Sequence, residues 1–188
     1  MSLRLLLLGL TCLALAGCGG SDSSQETDEA TDARAGYFHE AESKNLNPPL
    51  AQYSAAWMEY TKDPDACNKK AARLFAAGAS PRKAVQCHVR ENQALIDGAT
   101  SIRAAVSKLD GDYRATCATE VERFAGAVDE VNMARKRVLK SWNVYASKGV
   151  VQPKLQQYTT TADKLSLRFL DKDVSGLRNA CYTEADRA

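Results

Sequence analysis

The sequence predicts an all-α domain: an up-down-up-down four-helix bundle closed by two disulfides and preceded by a disordered tether. Three observations carry this. Good helix formers fill long intervals of the 188-residue chain, while glycine and proline gather mostly at Pro48-Pro49, Pro64, Gly78 to Pro81, Gly111 and Gly149 to Pro153. Apolar residues recur at steps of three and four, and no segment alternates as a half-buried strand would. Four cysteines, finally, fall symmetrically about two of the predicted turns.

The first stripe is Leu50, Tyr53, Trp57 and Tyr60. Asp63 before Pro64 and Ser80 before Pro81 each have the form of an N-cap followed by proline at the first helical position, and Gly78 suits the end of the preceding helix. Residues 49–77, kinked at Pro64, would then form a rod as long as 81–109. Within 81–109, Val85, His88, Asn92, Leu95, Ala99, Ile102, Val106 and Leu109 make a heptad-like seam. Cys117, Val121, Phe124, Val128, Val131, Arg135, Val138, Trp142 and Tyr145 repeat the pattern in a third rod. A fourth carries Leu155, Tyr158, Ala162, Leu165 and Phe169, then shifts by one residue to Leu170, Val174, Leu177 and Cys181. The shift, beside Asp171 and Asp173, predicts a break or kink. Seams of this kind pack helices at shallow angles.

Ahead of the domain, Arg4 precedes an apolar run from Leu5 to Ala16 interrupted only by Gly9 and Thr11. The run is shorter than the ~20 residues a spanning helix needs. It ends in Leu15-Ala16-Gly17-Cys18, which resembles the lipobox of bacterial lipoproteins. The resemblance implies a signal peptide over 1–17, cleavage before Cys18 and a diacylglycerol thioether on that cysteine. The expected address is therefore outside the cytoplasm, anchored to a bacterial membrane by lipid on Cys18. Residue 19 is Gly, so nothing resembles the aspartate signal that retains lipoproteins at an inner membrane. Between Gly19 and Ala35 there is no aromatic residue, and Asp22, Glu26, Asp28, Glu29 and Asp32 face the single base Arg34. Such a stretch buries too little apolar surface to offset its ordering entropy. Residues 18–47 are thus expected to be the lipidated cysteine and a disordered acidic tether, and 48–188 the single helical domain.

With Cys12 in the signal peptide and Cys18 lipidated, Cys67, Cys87, Cys117 and Cys181 remain, an even number suited to an oxidising compartment. In an antiparallel hairpin, residues equidistant from the turn lie at one height. Cys67 and Cys87 centre on residue 77, beside Gly78, and Cys117 and Cys181 centre on Gly149, which predicts these two bridges. A Cys87–Cys117 bridge fails on reach, since the helix from Cys87 to Leu109 spans about 33 Å and Cys117 climbs back about 9 Å. Zinc is disfavoured because no two cysteines have ligand spacing and the histidines are only His39 and His88. A c-type haem would need cysteine where Ala84 stands. No metal or cofactor is expected.

Charge is segregated. Of the 25 bases and 23 acids, two bases and five acids precede residue 36, leaving the domain at +5. Around the Gly78 and Gly149 turns, which share one end of the predicted bundle, stand Lys62, Lys69, Lys70, Arg73, Arg82, Lys83, Arg90, Arg135, Lys136, Arg137, Lys140, Lys148 and Lys154. Asp63, Asp65 and Glu91 oppose them. The Gly111 end carries Asp97, Asp110, Asp112, Glu120, Glu122, Asp129 and Glu130 among four bases. The tether would join this acidic end and leave the basic end outermost. Arg82, Lys83, Arg135, Lys136, Arg137 and Lys140 are accordingly the candidate residues for binding an acidic envelope protein or an anionic polymer. Nucleic acid is not expected at this address.

Three polar residues interrupt the apolar seams. His88 and Arg135 lie at similar distances from Gly111, so they are expected to face each other, and with Asn92 they form a candidate pocket for a small ligand or metal in the bundle core. Hydrolase elbows, HExxH helices, phosphate loops and dinucleotide fingerprints are absent, and the reading is non-catalytic. The expectation is a lipid-anchored binding or structural module, with a bundle-core carrier as the alternative.

Overall fold

A computed structural model describes residues 36–109, 111 and 113–182. The signal peptide, Cys18, the acidic stretch to residue 35, Asp110 and Asp112 lie outside these residues. Among the described residues the chain is helical and holds no strand. A helical lead-in over 36–41 passes through a π-turn, Glu42–Leu46, into α1, Asn47–Lys62. Then come α2, Ala66–Ala76; α3, Pro81–Ala84; α4, Gln86–Val106; and α5, Ala115–Lys148. The chain closes with α6, Leu155–Arg168, a second π-turn, Phe169–Asp173, and α7, Val174–Cys181.

The expected tether of 18–47 is too long at its C-terminal end, because the chain is already helical at residue 36. The physical reason lies in Phe38, Glu42 and Leu46, which recur every four residues and are all fully buried. The Glu42 carboxylate accepts from Arg178 Nε at 2.9 Å and from the Tyr182 hydroxyl, so its burial is compensated from α7 and the residue that follows it. Polar composition hid this segment, since its buried acid reads as solvated until its partners are known.

At Pro64 the structure has a break where a kink was expected. Asp63 leaves the helix at φ −138° and ψ 89°, as the residue before a proline is driven to do. Its carboxylate then accepts from Asp65 N at 3.1 Å, and α2 restarts at Ala66. Ser80 behaves as expected, its hydroxyl accepting from Lys83 N ahead of Pro81. The turns at Gly78 and Gly149 both use left-handed backbone, with φ of +73° and +68°, a conformation that costs glycine no Cβ clash.

The one-residue shift in the last seam is resolved by the π-turn at Phe169–Asp173. A π-turn accommodates one extra residue per turn, so both halves of the seam keep facing inward. Phe169 before the shift and Leu177 and Cys181 after it are all buried.

Packing follows the seams. Helix α4 lies against α1 and α5, and α5 also carries α6 and α7. All eight seam residues from Val85 to Leu109 are buried, His88 and Asn92 among them. Helices α1 and α4 approach closely where Gly98 meets Tyr53: a Cβ on Gly98 would stand 3.1 Å from the tyrosine ring. Leu95, Ile102, Phe124, Val128, Val131 and Phe169 form the centre of the core.

Both expected disulfides are present. Cys67–Cys87 joins α2 to α4 with Cα atoms 5.4 Å apart, and Cys117–Cys181 joins α5 to α7 at 4.6 Å. They close loops of 20 and 64 residues. On the loop-entropy model the first contributes about 3 kcal/mol and the second about 4 kcal/mol. Replacing Cys117 and Cys181 by alanine is therefore expected to cost more stability than replacing Cys67 and Cys87. Urea unfolding of the two double variants, compared by midpoint and slope, checks the order.

Candidate functional site

Arg135 is the largest fully buried side chain in the domain. It projects from α5 and is held by groups on two other helices. From α6, Asp163 pairs with it at 2.9 Å, and the Ser166 hydroxyl accepts from its Nη2 at 3.0 Å. The same hydroxyl accepts from Tyr53 of α1 at 2.8 Å and donates to the Ala162 carbonyl. Nη1 has no hydrogen-bond acceptor, and the guanidinium instead lies 5.3 Å from the Trp57 ring and 4.9 Å from the Tyr60 ring, whose electron-rich faces attract the cation. Burial raises the pKa of both Tyr53 and Tyr60, keeping them protonated as donors.

This placement corrects two expectations. Arg135 has no exposed surface, so it cannot contribute to a partner-binding face. Nor does any hydrogen bond or ion pair join it to His88 or Asn92. Reach explains the change: the guanidinium goes to the acid on α6, Asp163, which the seam reading missed. A signal was available, because Asp163 is the one acid between Leu155 and Arg168. A cation on one apolar seam calls for an anion on a facing helix.

His88 and Asn92 do come together, one turn apart on α4, where Asn92 Nδ2 donates to the His88 carbonyl at 3.0 Å. The imidazole stacks on the Trp142 indole with centroids 4.1 Å apart and planes inclined by 4°. Both residues line a cleft of about 500 Å³ that Tyr60 and Pro64 bound on one side and the 151–156 segment on another. Two buried polar atoms at this cleft, His88 Nε2 and Asn92 Oδ1, have no hydrogen-bond partner. Burial lowers the His88 pKa to about 4, so the ring is neutral at physiological pH.

One cluster of potential metal ligands occurs among the described residues: Cys67, Cys87 and Glu91. Its two sulfurs are bonded to each other and offer no thiolate.

The basic end is arranged differently. Arg82, Lys83, Lys136, Arg137 and Lys140 are exposed. Lys136, Lys140 and Asn143 follow one another at steps of four and three, which places them on one face of α5. Asn143 shares a depression of about 420 Å³ with Arg82 and Lys83. On its other side Lys83 borders a second depression with Lys70 and Arg90. Among the described residues, none of these bases has an acidic group within ion-pair distance. Elsewhere in the chain the arginines contrast with these. Arg103 pairs with Asp129, Arg123 with Glu120 and Asp173, Arg168 with Glu130 and Asp173, and Arg178 with Glu42.

No protein-family model matches the chain, and no curated protein or solved structure is detectably similar to it.

Three outcomes follow for this region. Arg135→Ala removes a large buried side chain with its ion pair to Asp163 and its hydrogen bond to Ser166, and is expected to lower the unfolding free energy by about 3 to 5 kcal/mol in urea titration. Asp163→Asn leaves the Arg135 cation buried without its anion, and is expected to cost a comparable amount. His88 has a folded-state pKa near 4 against about 6.5 when unfolded, so the unfolded chain binds the extra proton. Stability from this group is complete above pH ~6.5 and falls as the pH drops towards about 4. His88→Gln is expected to flatten that part of the stability profile, read as thermal midpoint against pH.

Proposed function

We propose that the chain is an exported, lipid-anchored, non-catalytic binding module whose basic end engages an anionic partner of the cell envelope. The observation that carries the reading is the contrast in pairing. Arg103, Arg123, Arg168 and Arg178 are paired with carboxylates, whereas Arg82, Lys83, Arg90, Lys136, Arg137 and Lys140 stand exposed without an acidic partner among the described residues. An array of unpaired cations on a rigid surface attracts a polyanion at long range and holds it through many weak contacts. An acidic protein face or an anionic polymer fits it equally in charge.

The reading includes an up-down-up-down arrangement of four rods, α1 with α2, α3 with α4, α5, and α6 with α7. The midpoint pairing of the disulfides supports it, as does the order in which α1, α4, α5 and α6 pack. An acidic tether running to lipid on Cys18 would leave the bundle at the Gly111 end, because Tyr37 and Phe38 lie against Tyr113 there. The basic end would then face away from the membrane.

A second reading, a carrier of a small ligand, draws on the unpartnered His88 and Asn92 atoms in the cleft.

One experiment tests the main reading. The full chain, a Lys136→Glu, Arg137→Glu, Lys140→Glu variant and a Cys18→Ser variant are expressed in the same bacterial host. Cys18→Ser is expected to leave the detergent phase yet still be retained on a poly-glutamate resin. The triple reversal should stay lipid-anchored and lose retention by more than about tenfold at 0.15 M salt. Equal elution of the triple variant and the parent would sink the basic-end reading, and Cys18→Ser staying in the detergent phase would sink the anchor.

A further inference from the structure

The cleft between α1, α4, α5 and the start of α6 makes a chemical demand of its own, independent of the basic end. Asn92 is 2% exposed and His88 9%; both line this site, and each holds a buried polar atom without a hydrogen-bond partner. The Asn92 amide is oriented by its donation to the His88 carbonyl, so the atom left over is Oδ1, an acceptor. Leaving a buried acceptor unmet is costly, so an occupant that donates a hydrogen bond to it is favoured.

The lining narrows the class of occupant. No lysine or arginine lines the cleft, so there is nothing to neutralise a phosphate or carboxylate. His88 adds no charge, being neutral above about pH 4. The polar groups at the rim are the amides of Asn68, Gln152 and Gln156, with the hydroxyl of Thr159 and the Glu91 carboxyl. The amides both donate to and accept from hydroxyls, and an ionised carboxylate accepts from them. Pro64, Val151, Pro153 and Leu155 complete the lining with the Tyr60 and Trp142 rings, and aromatic faces pack against C–H groups. At about 500 Å³ the volume lies within the usual range for small-molecule sites.

We propose that this cleft binds a neutral sugar unit, with a ring hydroxyl or acetamido N–H donating to Asn92 Oδ1 and the apolar face of the pyranose against Tyr60 and Trp142. The cradle is stiff. Tyr60 is braced from behind by Arg135 and by its hydroxyl bond to Asp163, Trp142 by His88, and α2 is stapled to α4 beside the cleft by Cys67–Cys87. Little side-chain entropy is left to lose on binding.

The test titrates the full chain with two neutral probes, the trimer of N-acetylglucosamine and maltotriose, each to about 10 mM, following tryptophan fluorescence. A saturable change is expected with at least one probe, and it should persist in 0.5 M salt because no charge pairing is involved. Asn92→Leu should weaken it by about tenfold or more. Gln156→Ala, at an exposed rim position, should weaken it by a few fold, and gives a reading even if Asn92→Leu fails to fold. The triple charge reversal at Lys136, Arg137 and Lys140 should leave it unchanged, which separates this site from the basic end. No saturable change with either probe, or binding that neither cleft variant weakens, would overturn the proposal.

Discussion

A buried arginine organises this domain. The Arg135 guanidinium gathers Asp163 and Ser166 from α6 and the rings of Trp57 and Tyr60 from α1, and Ser166 in turn holds Tyr53. Burying a cation carries a desolvation cost of several kcal/mol, offset only when its geometry is satisfied from several directions at once. A rotated or slipped α6 would strand the charge, and the same holds for α1. Apolar seams tolerate some sliding, whereas this network specifies one relative placement of three helices.

The consequence reaches the cleft through one residue. Tyr60 is shared: one aspect of its ring receives the Arg135 cation, and the residue also lines the cleft wall. Asp163 accepts from its hydroxyl at 3.3 Å. The position of the wall is thereby tied to the register of the bundle. On the far wall Trp142 is fixed by His88, a residue that burial keeps uncharged. Core and surface are coupled here through two aromatic side chains.

How much of this was legible in the sequence varies with the kind of interaction. The seams were, because burial follows the 3.6-residue period: Val85 through Leu109 are buried as their spacing predicts. Disulfide connectivity was too: the pairs whose midpoints fall at the Gly78 and Gly149 turns are the pairs that are bridged. The one-residue slip at Phe169 and Leu170 was visible, but its form as a π-turn needed the backbone. Pairings between distant polar residues were not legible, because no periodicity links Glu42 to Arg178 or Arg135 to Asp163. For that reason the lead-in and π-turn at 36–46 read as tether, and Arg135 was assigned both to the basic face and to a pocket with His88 and Asn92. His88 and Asn92 were identified as seam polars, while the Trp142 stack and the cleft around them arise only once α5 lies beside α4.

The Glu42 clasp also sets how the domain would carry a mechanical load. Tension applied at residue 36 passes into the lead-in helix and, through Glu42, to Arg178 and Tyr182. Three residues beyond Arg178, Cys181 is joined covalently to Cys117 at the start of α5. The pull is thus handed to a bond that does not yield and to the longest helix in the domain. The basic face and the cleft lie off this line, so they can keep their shape while the other end is under strain.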